Sequence, residues 1–181
     1  MELVADLARI RGLARERERE NQDFRRWLKG CDISEHRLDR IVHELNTEIS
    51  EQIDCLSCGN CCSEMSPALG PADVKRLAKA MQLTPGKFKR AFLKDAEEDP
   101  GRFLFRAKPC PLLEGNRCLQ YESRPRACAE FPFLHKPDFN HRTIMVMWNY
   151  PYCPIVFNVV ERLKEEVRSI EQERRLREMF R

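Results

Sequence analysis

No run of apolar residues in this chain approaches the roughly 20 that a membrane-spanning helix requires, so no transmembrane segment is expected. The first residues, Met1-Glu2-Leu3-Val4-Ala5-Asp6, lack a basic segment followed by an apolar core. That argues against a secretory signal, and the acidic side chains argue against a mitochondrial presequence. An excess of one charge is also missing. The 32 Lys and Arg face 29 Asp and Glu for a net charge of +3, with the two signs interleaved, and this excludes a strong nucleic-acid footprint. There is no Gly-rich phosphate loop, Gly-x-Ser-x-Gly elbow or His-Glu-x-x-His motif, which removes three common catalytic readings. Internal repeats and low-complexity linkers are absent as well.

What the chain has is sulfur and amphipathic helix. With 181 residues, 42% hydrophobic and 34% charged, it suits a soluble globular protein with long, heavily charged helical extensions. A cytoplasmic location is expected. There, nine cysteines are metal ligands or redox thiols more readily than disulfides, and an odd number leaves one unpaired in any all-disulfide scheme.

The organising stretch is Cys55-Leu-Ser-Cys58-Gly-Asn-Cys61-Cys62. Cys-x-x-Cys lets two sulfurs turn onto one ion, and Gly59-Asn60 supplies residue types that tolerate left-handed backbone in a tight turn. Adjacent cysteines are expected to point their side chains apart, so that Cys61 and Cys62 serve different ions or one of them stands outside the direct ligands. Further thiols follow at Cys110, Cys118, Cys128 and Cys153.

The expected fold class is mostly α with a short β hairpin. An N-terminal helical hairpin is expected over residues 1–51, a cysteine-rich metal-binding core over 52–155, and an amphipathic C-terminal helix over 156–181. Leu3, Leu7, Ile10 and Leu13, then Phe24, Trp27 and Leu28, predict one helix over residues 3–28 that stops at Gly30. Asp32 and Glu35 have the spacing of an N-cap and its reciprocal partner. Leu38, Ile41, Val42, Leu45, Ile49 and Ile53 form the face of the next helix. Pro71 and Thr84-Pro85 open two short helices, 95–101 reads as an acidic loop, and Phe103-Leu-Phe-Arg106 reads as a strand. Gly115-Asn116 marks a turn that would place Cys110 and Cys118 side by side. Cys128 falls one turn into a helical segment opened by Ser123 and Pro125. Phe131, Phe133 and Ile144-Met-Val-Met-Trp148 read as a core wall. Val156, Val159, Val160, Leu163, Val167 and Ile170 share a face of the last helix, whose outer end carries Glu171–Arg175 and Glu173–Arg177 pairs.

These residues are similar to the YkgJ-type cysteine-cluster family, described as zinc- or iron-chelating, whose pattern is Cys-x-x-Cys-x-x-Cys-Cys. The resemblance continues through Cys110-Pro111, Cys118, Tyr121-Glu-Ser-Arg124-Pro-Arg-Ala-Cys128 and Phe131-Pro132. It spans about residues 52–155. At Ala129 that pattern often has a basic residue, so a contact expected there does not carry over. A flagellin lysine methylase related to this family is associated with an iron–sulfur cluster, which brings that chemistry in by analogy.

The candidate metal ligands are Cys55, Cys58, Cys61, Cys62, Cys110, Cys118, Cys128 and Cys153. Eight thiols would serve two tetrahedral zinc sites at about 2.3 Å Zn–S. A Zn²⁺ or Fe ion is the favoured cofactor. A [4Fe-4S] cluster is the alternative, because Cys55, Cys58 and Cys61 reproduce the ferredoxin-type run and the Cys-Pro pairs at 110 and 153 resemble its close. Four thiolates around a divalent ion leave roughly two excess negative charges. The backbone N–H groups of Gly59-Asn60 and the cation of Arg124 are expected to offset them, with Lys108 and Arg117 as further candidates. Arg124 and Tyr121 are the candidate cofactor-binding residues, and Tyr121 also reads as a core ring with its hydroxyl satisfied. Cys31 reads as a free thiol, His36 and His43 as packing residues, and His135 and His141 as exposed. Three function classes remain open: a metal-bound structural module with a protein partner on its terminal helices, an iron–sulfur enzyme of electron or methyl transfer, and a metal-handling protein.

Overall fold

In the computed structural model, which describes residues 2–180, helices carry most of the chain, and strands form two short antiparallel pairs. The chain divides into two compact units. One runs from Asp54 to Phe131; the other joins the residues up to Ile53 with those from Pro132 onward.

The helical unit opens with α1 (Leu7–Glu16) and α2 (Glu18–Gly30), then α3 (Glu35–Ser50). The single helix expected over 3–28 is broken at Arg17. Asp6 caps α1 by accepting from the Arg9 N–H at 2.6 Å, and residues 15–20 have no apolar side chain to hold one continuous axis against a core. Arg17 instead ion-pairs with the buried Glu161. The cap of α3 is also displaced from the expected one. Ser34 Oγ accepts from the Arg37 N–H at 3.3 Å, while Asp32 pairs with Arg174. Leu38, Val42, Leu45 and Ile49 are buried on one face of α3, which packs along the final helix of this unit.

The cysteine-bearing unit contains α4 (Cys55–Cys58), α5 (Asn60–Glu64), α6 (Pro71–Ala80) and α7 (Pro85–Phe92). Strand β1 (Leu93–Asp95) pairs with β2 (Phe103–Phe105), so the expected strand at 103 finds its partner at the end of α7. Strands β3 (Leu113–Glu114) and β4 (Arg117–Cys118) form the hairpin around Gly115-Asn116, and a 3-10 turn at Tyr121–Ser123 leads into α8 (Arg126–Glu130). Leu69, Val74, Leu77, Ala78, Phe88, Leu93, Phe105 and Leu112 make the core, with Cys110 and Cys118 packed against it. Burying a side chain such as Phe88 contributes about 1.5–3 kcal/mol, and the two thiols of the Cys110–Cys118 segment rest on this core.

Back in the helical unit, α9 (Thr143–Asn149) and α10 (Pro154–Met179) complete the chain. The expected core wall at 144–148 is overturned. Ile144 is 54% exposed, Met145 51% and Trp148 66%, while Val146 is buried. The run is helical, so its apolar residues spread around the axis, and α9 buries the Thr143, Val146 and Asn149 face. Helix α10 begins inside the core: Ile155, Val156, Phe157, Val159, Val160 and Leu163 are all buried. Its outer end carries the anticipated Glu171–Arg175 and Glu173–Arg177 pairs at 3.8 and 3.7 Å. No helix among the described residues is long and apolar enough to cross a membrane.

Candidate metal centre

The Cys55–Cys62 stretch folds as two one-turn helices hinged on a single residue. Asp54 caps α4, accepting from the Leu56 N–H at 2.9 Å. Gly59 ends it at φ +58° with its N–H on the Cys55 carbonyl at 3.1 Å, and α5 starts at the next residue. The Gly59 N–H expected to face an ion is therefore engaged in the turn. Cys55 and Cys58 lie on α4, and Cys61 and Cys62 lie on α5.

Two hydrogen bonds join this stretch to the hairpin. The Cys110 N–H donates to the Cys62 carbonyl at 2.9 Å, and Asn116 Nδ2 donates to the Ser57 carbonyl at 2.9 Å. The hairpin register differs from the expected one. A two-residue turn sets Glu114 opposite Arg117 and Leu113 opposite Cys118, and Leu112 accepts from the Leu119 N–H at 2.8 Å. Cys110 lies three residues before Leu113, outside the paired positions; it packs on the same core as Cys118 and is tied by its N–H to the Cys62 carbonyl.

Cys61 and Cys62 also depart from expectation. Consecutive helical side chains are roughly 100° apart, not opposed, and the two thiols hydrogen-bond to each other. That bond lowers Cys62 to about 7 against the opposing effect of burial. Cys55 is exposed at its surface, but the protein packed around it partly desolvates the thiol and raises it, assisted by Cys58, Asp54 and Cys62. Burial raises Cys110, with Cys62 and Cys118 adding to it against a backbone hydrogen bond at Leu112. Cys118 is raised in the same way, with Cys62 contributing. Cys128 is pushed up to about 12 by burial and then by Cys62, Cys110 and Cys118. Cys62 is thus within electrostatic reach of Cys55, Cys110, Cys118 and Cys128. Arg124 acts in the opposite sense on three of them, favouring the thiolates of Cys55, Cys118 and Cys128. Its guanidinium stacks 3.7 Å from the centre of the Tyr121 ring and donates to the Tyr121 carbonyl at 2.6 Å.

A family model described as "CxxCxxCC: Putative zinc- or iron-chelating domain" matches residues 54–154, more than half of the chain. The chain belongs to this family. No curated protein and no solved structure matches it closely.

The CxxCxxCC unit from Asp54 to Phe131 holds seven of the eight candidate ligands. The eighth, Cys153, belongs to the helical unit, where it is buried as the residue preceding α10. Cys31 donates from Sγ to the Leu28 carbonyl at 3.4 Å. His36 is exposed, contrary to a packing role, and His43 is half-buried with Nε2 3.2 Å from the Lys136 carbonyl. His135 and His141 are exposed, the latter 3.0 Å from Glu35. Lys108 donates to the Glu64 carbonyl at 3.0 Å, and Arg117 is exposed on β4. No disulfide joins any of the nine cysteines.

The donor set suits a soft or borderline cation. Seven thiols lie in this unit, and neighbouring thiols oppose the ionisation of Cys55, Cys110, Cys118 and Cys128, a penalty that a bound cation reverses. Among the described residues, no three Cys, His, Asp or Glu side chains are arranged to hold a metal ion as they stand.

Two residues of this site escaped the sequence reading. Asp73 and Arg76 on α6 bind the backbone of the segment from Ser123 to Arg126. Gly70-Pro71-Ala-Asp73 has the form of a helix start, so Asp73 was legible as a capping residue. Nothing in the sequence shows where Arg76 reaches.

Proposed function

We propose that this CxxCxxCC domain binds one zinc or iron ion through the thiolates of Cys62, Cys110, Cys118 and Cys128. The observation that carries this reading is the place of Cys62, whose carbonyl accepts from the Cys110 N–H at 2.9 Å and whose thiol opposes the ionisation of Cys110, Cys118 and Cys128. They come from α5, from the segment before the hairpin, from β4 and from α8, so an ion would cross-link separate pieces of a small unit. Cys55, Cys58 and Cys61 lie on the other side of Cys62 in the chain and would serve as an outer set. A bound ion supplies positive charge that stabilises the thiolates and releases their protons. Arg124 offsets part of the remaining negative charge and is held in place by the Tyr121 ring. A closed all-cysteine set favours a structural role, since catalytic zinc keeps an open position.

The test is elemental analysis of protein purified without oxygen, with its visible spectrum. Colourless protein with stoichiometric zinc, or protein with iron and no labile sulfide, supports the single-ion reading. Brown protein with labile sulfide would replace it with an iron–sulfur cluster. A second reading, metal handling, draws on the exposure of Cys55 beside less accessible thiols. It requires metal transfer to a chelator faster than the protein unfolds.

A further inference from the structure

Asp73 is buried, 6% exposed, yet its carboxylate takes part in no step described so far. Its Oδ2 accepts from the Gly70 N–H at 3.0 Å, closing the first turn of α6. Its Oδ1 accepts from the Arg126 N–H at 3.0 Å and from Arg76 Nη2 at 2.6 Å. Arg76 continues outward. Nη2 donates to the Arg124 carbonyl at 2.8 Å, and Nε donates to the Ser123 carbonyl at 3.3 Å. One turn of α6 thus holds the backbone at residues 123, 124 and 126, which lie 47 to 53 positions further along the chain.

The held segment needs outside support. Helix α8 has five residues, and helices that short do not persist on their own in water. Its first N–H groups have no partner within the helix, and one of them is the donor that Asp73 accepts. A carboxylate there also suits the positive end of the helix. This segment delivers two groups to the thiols, the Arg124 guanidinium and the Cys128 sulfur. Fixing the backbone at 123, 124 and 126 leaves those groups little besides side-chain rotation.

We infer that Asp73 and Arg76 are positioning residues of the metal centre, clamping the Tyr121–Cys128 segment so that Cys128 and Arg124 face the other thiols. The inference rests on the thiolate chelation proposed above. Its test uses the full chain titrated anaerobically with Co²⁺, following the thiolate-to-cobalt charge-transfer absorbance and the affinity against a competing chelator. Arg76→Met and Asp73→Asn should each weaken Co²⁺ binding at least tenfold with helical circular dichroism unchanged, and Arg76→Lys should fall between. In a Cys128→Ser background the further loss from Arg76→Met should be under threefold, because the ligand it places is already gone; a general structural defect would add in full. Wild-type affinity and spectrum in Arg76→Met would overturn the clamp, as would an equal loss in both backgrounds. If Asp73→Asn does not fold, Arg76→Met decides, since that side chain is 42% exposed. Absence of a charge-transfer band in the wild-type chain is a different failure, and it would sink the chelation reading together with the clamp.

Discussion

Gly59 and Asn116 meet backbone to backbone: a Cβ built on Gly59 would stand 2.9 Å from both the Cα and the carbonyl oxygen of Asn116. The hinge of the cysteine run therefore accepts only glycine for two independent reasons, its φ of +58° and the approach of the hairpin tip. A non-glycine residue in left-handed backbone costs roughly 1–2 kcal/mol, and the contact adds to it. Gly59→Ala should lower the thermal midpoint of the chain and reduce metal retained on purification. A midpoint and a metal content equal to wild type would show that the tip can withdraw without consequence.

Cys62 touches both halves of the thiol group, through its hydrogen bond with Cys61 and through its carbonyl, which accepts from Cys110. Cys62→Ser should abolish stoichiometric metal, whereas Cys55→Ser should retain most of it with weaker affinity. Cys31→Ser should change neither metal content nor stability beyond about 0.5 kcal/mol, since Cys31 lies in the helical unit. Elemental analysis of the three variants side by side checks the ranking. Equal metal in Cys62→Ser and Cys31→Ser would remove Cys62 from the site.

The ordered cysteines were legible because ligand chemistry is carried by residue type and spacing, and both survive in a one-dimensional string. Helix starts at Pro71 and Pro85 were legible for a similar reason, since their signals are local. The break at Arg17 was not, because it turns on an ion pair with Glu161, 144 residues away. The exposure of Ile144, Met145 and Trp148 was hidden by composition, as an apolar run looks the same whether it is buried as a strand or wound into a helix with one free face. Arg76 escaped for the most general reason: its distant partners are backbone carbonyls, which every residue has.

The pH dependence of Asp73 follows from its hydrogen bonds. Burial opposes its charge, but the Arg126 and Gly70 N–H groups and the Arg76 guanidinium together hold the carboxyl below its ordinary range. A carboxyl depressed in the folded state stabilises the fold fully above its unfolded value, about 3.9. That contribution is lost as pH falls through the folded value. With metal removed and thiols reduced, wild type should exceed Asp73→Asn in urea stability by about 2 kcal/mol at neutral pH, the scale of a hydrogen-bonded charge. The gap should close below pH 4. A gap that stays constant down to pH 2.5 would mean that the carboxylate charge contributes nothing.

The helical unit contains a charge pair that its sequence gives no reason to bury. Glu161 is 8% exposed and Lys164 2%. Lys164 Nζ donates to Glu161 Oε1 at 2.7 Å, and the Tyr150 O–H donates to the same oxygen at 2.7 Å. Burial and then the neighbouring Glu161 raise Tyr150 well above its usual range, so the phenol keeps its proton and remains a donor. Arg17 and Glu20 complete the network, with Glu20 3.3 Å from Lys164. Removing one member of a buried pair typically costs about 3–5 kcal/mol because the other is left unpaired, whereas replacing both with apolar groups costs far less. Glu161→Leu alone should therefore destabilise by about 3 kcal/mol, with Glu20 as the only remaining acidic partner of Lys164 named above. The double variant Glu161→Leu with Lys164→Leu should be more stable than the sum of the two single effects. Urea unfolding of the four proteins measures the coupling. Strict additivity would mean that the pair contributes no interaction energy.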